Sequence, residues 1–546
     1  MNPLLSSSLC ALLTRAPRQQ SSPAICAAPH RGAVRQSPPQ TARQSSGPSR
    51  TSLVVLWLLV VVVCTSLLVA SISAGSGPHL IVVDYSGREQ LEELASQGIR
   101  IINYQHNVLA AICSEMEITL LRHAGYRPYI LAPIQRDKHH YLVYPRADVA
   151  PLTGTHAVDA YRYTDDAFIV QASTDEANAL AVHGADVVRL PTAITLSVAA
   201  TAKARVVPQT SDLSVHSMVQ AVSPTLLIHH VCKLQDRDEL GYCNELGTRY
   251  SFATADLAEA ADYLYGAYAS YGLDVTFDPF VFNSKPMTNV VAELSGNGSS
   301  RDHIYIISAH YDSISQTPFD AAPGADDNAS GAAAVLEVAR VLGTHSFPCT
   351  IRFINFAGEE QGLIGSAHYV EQAAQRGEVI HGVLNLDMIA YESVPPNDHR
   401  VEIHAGIAPL SISLAEALLD SISDFGLDLL PEVITASATW RSDHASFWNH
   451  GVPALLAVED MDDFNPHYHS TRDTRTRLRP QLMAEFTKAC LATLARLACQ
   501  SYETPHTPTP LRSPTPTATL APTATLPPPT ATPIRLYLPI ILRGER

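Results

Sequence analysis

From residue 303 onward the chain repeats one pattern, and that pattern limits what it can fold into. Short apolar runs, "HIYIISAH" (303–310), "TIRFINFA" (350–357), "GVLNLDMI" (382–389) and "VPALLAVE" (452–459), read as strands. Helix-like stretches separate or follow them: "GAAAVLEVARVLG" (331–343), "GSAHYVEQAAQRG" (365–377), "LSISLAEALLDSISDFG" (410–426) and "RPQLMAEFTKACLATLARLA" (479–498). Strands that are apolar along their whole length have no face to give to water, so the sheet needs cover on both sides. The predicted fold class is therefore α/β, an α/β/α sandwich around a central mixed, mostly parallel sheet. In such folds ligands bind beyond the carboxyl ends of the strands.

Those ends are where the polar chemistry lies. "SAHYDS" supplies His310 and Asp312, and "PGADDNASG" supplies Asp326 and Asp327. "FAGEEQGLIGS" supplies Glu359 and Glu360, "LNLDM" supplies Asp387, and "NPHYHSTRDT" supplies His467 and His469. One acid at a strand end is unremarkable, but a series on successive strands converges on one cleft. Gathered charges are costly unless something compensates them, and a divalent cation does so. A His-plus-carboxylate set without Cys suits catalytic zinc, and the number of carboxylates matches two ions. Paired metals can clamp an attacking water and a substrate oxygen. The adjacent Glu359 and Glu360 then have separate tasks: one binds metal and the other moves a proton. The competing reading is a solvated pair at a helix start, favoured by the helix dipole.

The rest of the chain is organised around this half. A length of 546 residues suggests two or three domains, and 46% hydrophobic content is ample for their cores. A net charge of −16 excludes a general nucleic-acid binder. Residues 1–51 are basic, with six Arg and no acid among the first fifty. Residues 52–74 come next as a signal peptide or signal anchor; the uncharged run 52–72 is long enough to span a bilayer. Both readings export the remainder of the chain, as a secreted or surface-anchored protein. Residues 76–210 form an accessory or propeptide region. Within it, 79–132 reads β-α-β-β-α-β, a small ferredoxin-like unit, with a fainter second copy at 166–190. Residues 211–503 carry the strand-end chemistry. A Pro/Thr-rich stalk (504–533) precedes an apolar-basic tail (534–546) that reads as a sorting or attachment signal, or a sticky end. Cys232 and Cys243 flank a short polar loop and are the best disulfide candidates.

Taken together and in this order, the motifs above, with "RSDHASF", resemble those of secreted bacterial di-zinc aminopeptidases, a leucine aminopeptidase-like zinc exopeptidase family. The resemblance covers roughly 225–500. It implies a phosphorylase/hydrolase-like α/β/α fold, two zinc ions per chain and peptide substrates. By the same resemblance Asp327 bridges the metals, His310 and Asp387 hold one, and Glu360 and His469 hold the other. Glu359 is implied as general base, Asp312 as the carboxylate that orients His310, and the Asp327–Asn328 peptide as cis. Asp443 and His444 have supporting roles. Met388, Met461 and Tyr468 line a side-chain pocket or simply pack. The sequence departs from several relatives at "SATWRSDH", where a Tyr is expected to stabilise the oxyanion; Arg441 or the zinc alone takes that part. The expected function is removal of N-terminal residues from peptides. The alternatives are a carboxypeptidase or dipeptidase of the same fold, a glutaminyl-cyclase-like acyltransferase, and a non-catalytic peptide-binding module.

Overall fold

The computed structural model describes residues 77–145, 156–196, 212–235, 247–393, 398–498 and 534–538. The apolar runs form an eight-stranded sheet of β9 (Asp274–Phe282), β10 (Lys285–Leu294), β11 (His303–His310), β12 (Thr350–Phe356), β13 (Val379–Leu386), β14 (Arg400–His404), β15 (Leu430–Ile434) and β16 (Ala454–Glu459). Its order is β15-β14-β16-β13-β11-β12-β10-β9. The central strands β12, β11, β13 and β16 are parallel, while the β9–β10 hairpin and the β14–β16 pair are antiparallel. The chain leaves β11 toward β12 on one side and returns to β13 on the other. That reversal opens a crevice at the carboxyl end of β11.

Alternate residues of β11 face opposite layers, as the pleat requires. Tyr305, Ile307 and Ala309 enter a core shared with α5 (Pro224–Leu234), α6 (Thr254–Ser270), α7 (Ala329–Leu342) and α11 (Pro480–Ala498). Ile304 and Ile306 enter a second core shared with α8 (Ile364–Gln375), α10 (His444–Asn449) and the accessory region. Helix α7 begins where the Asn328 side chain accepts the Gly331 N–H at 2.9 Å. A Cβ at Gly331 would stand 2.7 Å from the Leu386 carbonyl oxygen, so only glycine lets this helix start lie against the end of β13.

Two strands stop earlier than the sequence suggests. β13 ends at Leu386 rather than at 389, because Met388 turns into the left-handed region (φ 52°). β12 ends at Phe356, before the positive φ of Gly358 (72°). Strand β15 and the helices α4 (Asp212–Gln220), α5 and α10 go beyond the elements expected from sequence.

The accessory region carries its fold twice. The first unit, β1 (His79–Asp84), α1 (Arg88–Ser96), β2 (Arg100–Gln105), β3 (Val108–Cys113), α2 (Glu115–His123) and β4 (Tyr129–Pro133), has the sheet order β2-β3-β1-β4. The second contains β5 (His139–Tyr144), β6 (His156–Arg162), β7 (Phe168–Ala172), α3 (Thr174–Val182) and β8 (Asp186–Arg189), in the equivalent order β6-β7-β5-β8. It therefore starts at 139 rather than 166. Helices α2 and α3 open with the same reciprocal cap, Ser114 with Glu117 and Ser173 with Glu176. Ile534–Leu538, in the expected tail signal, adds an antiparallel strand beside β6.

Cys232 is disulfide-bonded, whereas Cys113, Cys349 and Cys490 are free and buried. Cys243 lies outside the described residues, as do residues 52–72. Among the described residues no helix is long and apolar enough to cross a membrane.

Candidate metal centre

The strand-end residues meet at the crevice. His310 closes β11, Glu359 and Glu360 come after β12, Asp387 comes after β13, and Asp327 stands two residues before α7, next to its cap Asn328. His469 arrives on the loop after β16, in the left-handed region (φ 51°). The Asp327 carboxylate lies between the two imidazoles: Oδ1 is 3.2 Å from His310 Nε2, and Oδ2 is 3.1 Å from His469 Nε2. Each imidazole has a second carboxylate of its own. Asp387 Oδ1 is 3.3 Å from His310 Nε2, and Glu360 Oε2 is 2.9 Å from His469 Nε2. The result is two donor triplets sharing one carboxylate. Glu359 stands slightly farther off, with Oε2 3.9 Å from His310 Nε2.

Two imidazoles and four carboxylates are all buried here. Burial pushes the Glu359 carboxyl well above its usual range, and the Glu360, Asp387 and Asp443 charges add to this. Burial likewise raises Glu360 to about 7 and moves Asp387 upward. Burial opposes the charged imidazole of His469, but Glu360 and Asp327 outweigh it and raise the ring to about 10. Burial also opposes ionisation of Asp327, yet His310 and His469 hold its carboxyl well below the usual range. Carboxylates that hold one another up in this way, with Glu360 Oε1 lacking a hydrogen-bond partner among the described residues, call for a cation. The donors are nitrogen and oxygen only, which fits zinc.

The supporting contacts differ in part from expectation. The Asp312 carboxylate faces His310 Nδ1 and also holds the turn after β12. It accepts the backbone N–H groups of Glu359 (3.2 Å) and Glu360 (3.3 Å) and the Ser251 hydroxyl (2.8 Å). The nearest Asp312 atom to His310 Nδ1 is its carbonyl oxygen, at 3.2 Å, with the carboxylate at 3.6 Å. Asp312 thus fixes the Glu359–Glu360 turn through two main-chain donors while facing the imidazole. The Asp327–Asn328 peptide is cis. Asp443 is buried near the centre, and His444 Nε2 binds the Thr439 carbonyl at 2.9 Å, so that nitrogen is not offered to the cleft. Met388 and Tyr468 share a small apolar cluster, against which Met461 and Phe464 pack.

Several residues at the site carry no usable sequence signal. Asp473, inside "NPHYHSTRDT", accepts the backbone N–H groups of Asp326 and Asp327 and so sets the bridging loop. Buried Arg249 donates to the carbonyls of Tyr311, Pro323 and Gly324. The accessory region contributes Asp186, which pairs with Arg441 and accepts the Tyr468 hydroxyl at 2.8 Å.

Behind the bridging loop, Glu459 lies against Asp326. Burial raises Glu459 well above the usual carboxyl range, with the Asp326 and Asp473 charges adding to it. Folded Glu459 holds its proton above the pH at which the unfolded residue ionises, so its contribution to stability is expected to fall as pH rises above about 4.5. One such group costs up to about 1.4 kcal/mol per pH unit over that window. Glu459→Gln is expected to flatten this fall and to melt no lower than wild type at pH 8 in thermal scans from pH 5 to 8. An unchanged slope would remove Glu459 from the account.

The comparisons with known proteins agree with this geometry. The profile described as Peptidase family M28 matches residues 289–494, a span that includes all six cleft residues. A probable leucine aminopeptidase of Trichophyton verrucosum (strain HKI 0517) is 32% identical over 222 residues, 39% of this chain and 58% of that protein. A probable leucine aminopeptidase 1 of the same strain is 30% identical over 296 residues, 52% of this chain and 77% of that protein. The crystal structure of Legionella pneumophila LapA aminopeptidase superposes with a TM-score of 0.52 at 21% identity, over 66% of this chain and 99% of that one, and shows the same fold. The chain belongs to peptidase family M28.

Proposed function

We propose that this chain is an exported zinc-dependent aminopeptidase that hydrolyses N-terminal residues from peptides. The observation that carries the reading is the Asp327 carboxylate, with one oxygen toward His310 and the other toward His469. His310, Asp387 and one Asp327 oxygen would hold one zinc, and His469, Glu360 and the other oxygen a second. Bound zinc supplies Lewis acidity and lowers the pKa of water toward 7. Glu359 accepts the proton of the attacking water and returns it to the leaving amine. Asp312 keeps that carboxylate in place through the backbone of the Glu359–Glu360 turn. The M28 relatives that are named leucine aminopeptidases support the amino-terminal direction. The retained ligand set speaks against a non-catalytic binding module. Export rests on the Arg-bearing segment before the apolar run 52–72, and a disulfide at Cys232 suits an oxidising compartment.

Chelation is expected to abolish peptide hydrolysis, and added zinc to restore it fully at two equivalents per chain. Activity that survives complete metal removal, verified by elemental analysis, would refute the metal-dependent reading.

A further inference from the structure

Arg441 lies beside the metal centre without an acidic partner from its own half of the chain among the described residues. Its guanidinium carbon is 5.4 Å from the Tyr144 ring centroid and 5.9 Å from that of Phe464, which pins the plane between two aromatic faces. Its ion partner is Asp186, at the start of β8 in the accessory region. The same carboxylate accepts the Tyr468 hydroxyl at 2.8 Å. The Tyr468 ring stacks on His469 with centroids 3.7 Å apart, and Asp186 Oδ1 is 3.8 Å from His469 Nδ1. An acidic side chain from outside the peptidase half is thus seated one imidazole away from the candidate zinc ligands. The backbone of β8 continues across the "QGLIGS" loop: a Cβ at Gly362 would stand 3.0 Å from the Arg189 backbone nitrogen.

We propose that Arg441 and Tyr468 form a carboxylate-binding subsite of the peptidase, that its substrates carry a carboxylate there, and that Asp186 occupies it as a tethered competitor. The proposal deepens the aminopeptidase reading and rests on it. With the accessory region in place the Asp186 carboxylate neutralises a guanidinium held between aromatic faces, and a substitution at Asp186 leaves that charge without its anion. A planar fork beside a phenol donor selects a carboxylate over a neutral amide of the same shape. Two sources share this chemistry: the side chain of an N-terminal acidic residue, and the terminal carboxylate of a dipeptide. In either case the group sits next to His469, close enough to be read together with the scissile bond.

The test uses the zinc-loaded full chain as wild type, Asp186→Ala and the double variant Asp186→Ala with Arg441→Met. Four ligands form two matched pairs: Glu-Leu-amide against Gln-Leu-amide, and Leu-Leu against Leu-Leu-amide. Binding is read by thermal shift and cleavage by product analysis. In Asp186→Ala one acid binds at least about tenfold tighter than its amide twin, and the pair that discriminates identifies the source. Wild type binds that acid at least about tenfold more weakly, and the double variant no longer discriminates. Equal binding within both pairs overturns the subsite. Cleavage without discrimination keeps the aminopeptidase reading and removes the subsite; discrimination without cleavage does the reverse. If Asp186→Ala does not fold, Asp186→Asn takes its place under the same criteria.

Discussion

Replacing Glu359 by Gln is expected to lower kcat by about 10²–10⁴-fold while zinc content and melting temperature stay near wild type. Glutamine keeps the size of the side chain and removes its ability to take a proton. Glu359 stands 3.9 Å from His310 Nε2, whereas the four closer carboxylate–imidazole contacts lie between 2.9 and 3.3 Å. That difference marks it as the carboxylate left over after the ligands are assigned. The turn around it is fixed by Asp312 through main-chain donors, which the substitution leaves untouched. The acid limb of the pH–rate profile, where the base becomes protonated, is expected to vanish with the carboxylate. Steady-state kinetics, elemental analysis and a melting curve give the three readouts. A kcat within tenfold of wild type would deny Glu359 its role. Loss of zinc together with activity would make it a ligand instead, since its carboxylate also lies near His310 and Asp387.

Asp327→Ala is expected to cost both zinc ions, whereas Asp387→Ala costs one. Asp387 faces only His310, but Asp327 faces both imidazoles, so its removal takes one donor from each triplet. It also leaves two buried imidazoles and their remaining acids with the wrong balance of charge. In wild type, zinc at a thousandfold excess over its dissociation constant adds about 4 kcal/mol to stability by mass action. Asp327→Ala should therefore gain no melting temperature on zinc addition, and Asp387→Ala an intermediate amount. Two zinc ions retained by Asp327→Ala would dismiss the bridging assignment.

These expectations are legible in the sequence to the extent that the fold rule is. Alternation of apolar strands and helices places His310, Glu359, Glu360 and Asp387 at one end of a sheet whatever the loops do. Asp327 and His469 rest on motif resemblance, and the sheet brings them to the same crevice. The hidden part depends on contacts between distant segments. Asp186 begins an ordinary-looking strand, "DVVR", and nothing local shows that it meets Arg441 in the other half of the chain. Ser251 and Asp473 act on groups of other loops, and such partners leave no periodicity. The second task of Asp312 is hidden for a similar reason: its carboxylate also holds the turn after β12, a distant segment. The second ferredoxin-like unit is legible only in its later part, because its first half lacks the clear strand–helix alternation of the first copy.

The most direct measurement is a mass-spectrometric time course on one peptide in two forms, with a free amino terminus and with that terminus acetylated. The zinc-loaded chain and its Asp186→Ala variant are both assayed. An aminopeptidase removes single residues from the amino terminus of the free form, faster in the variant, and leaves the acetylated form intact. Loss of carboxyl-terminal residues from both forms, or no cleavage of either by either protein, would contradict the aminopeptidase reading.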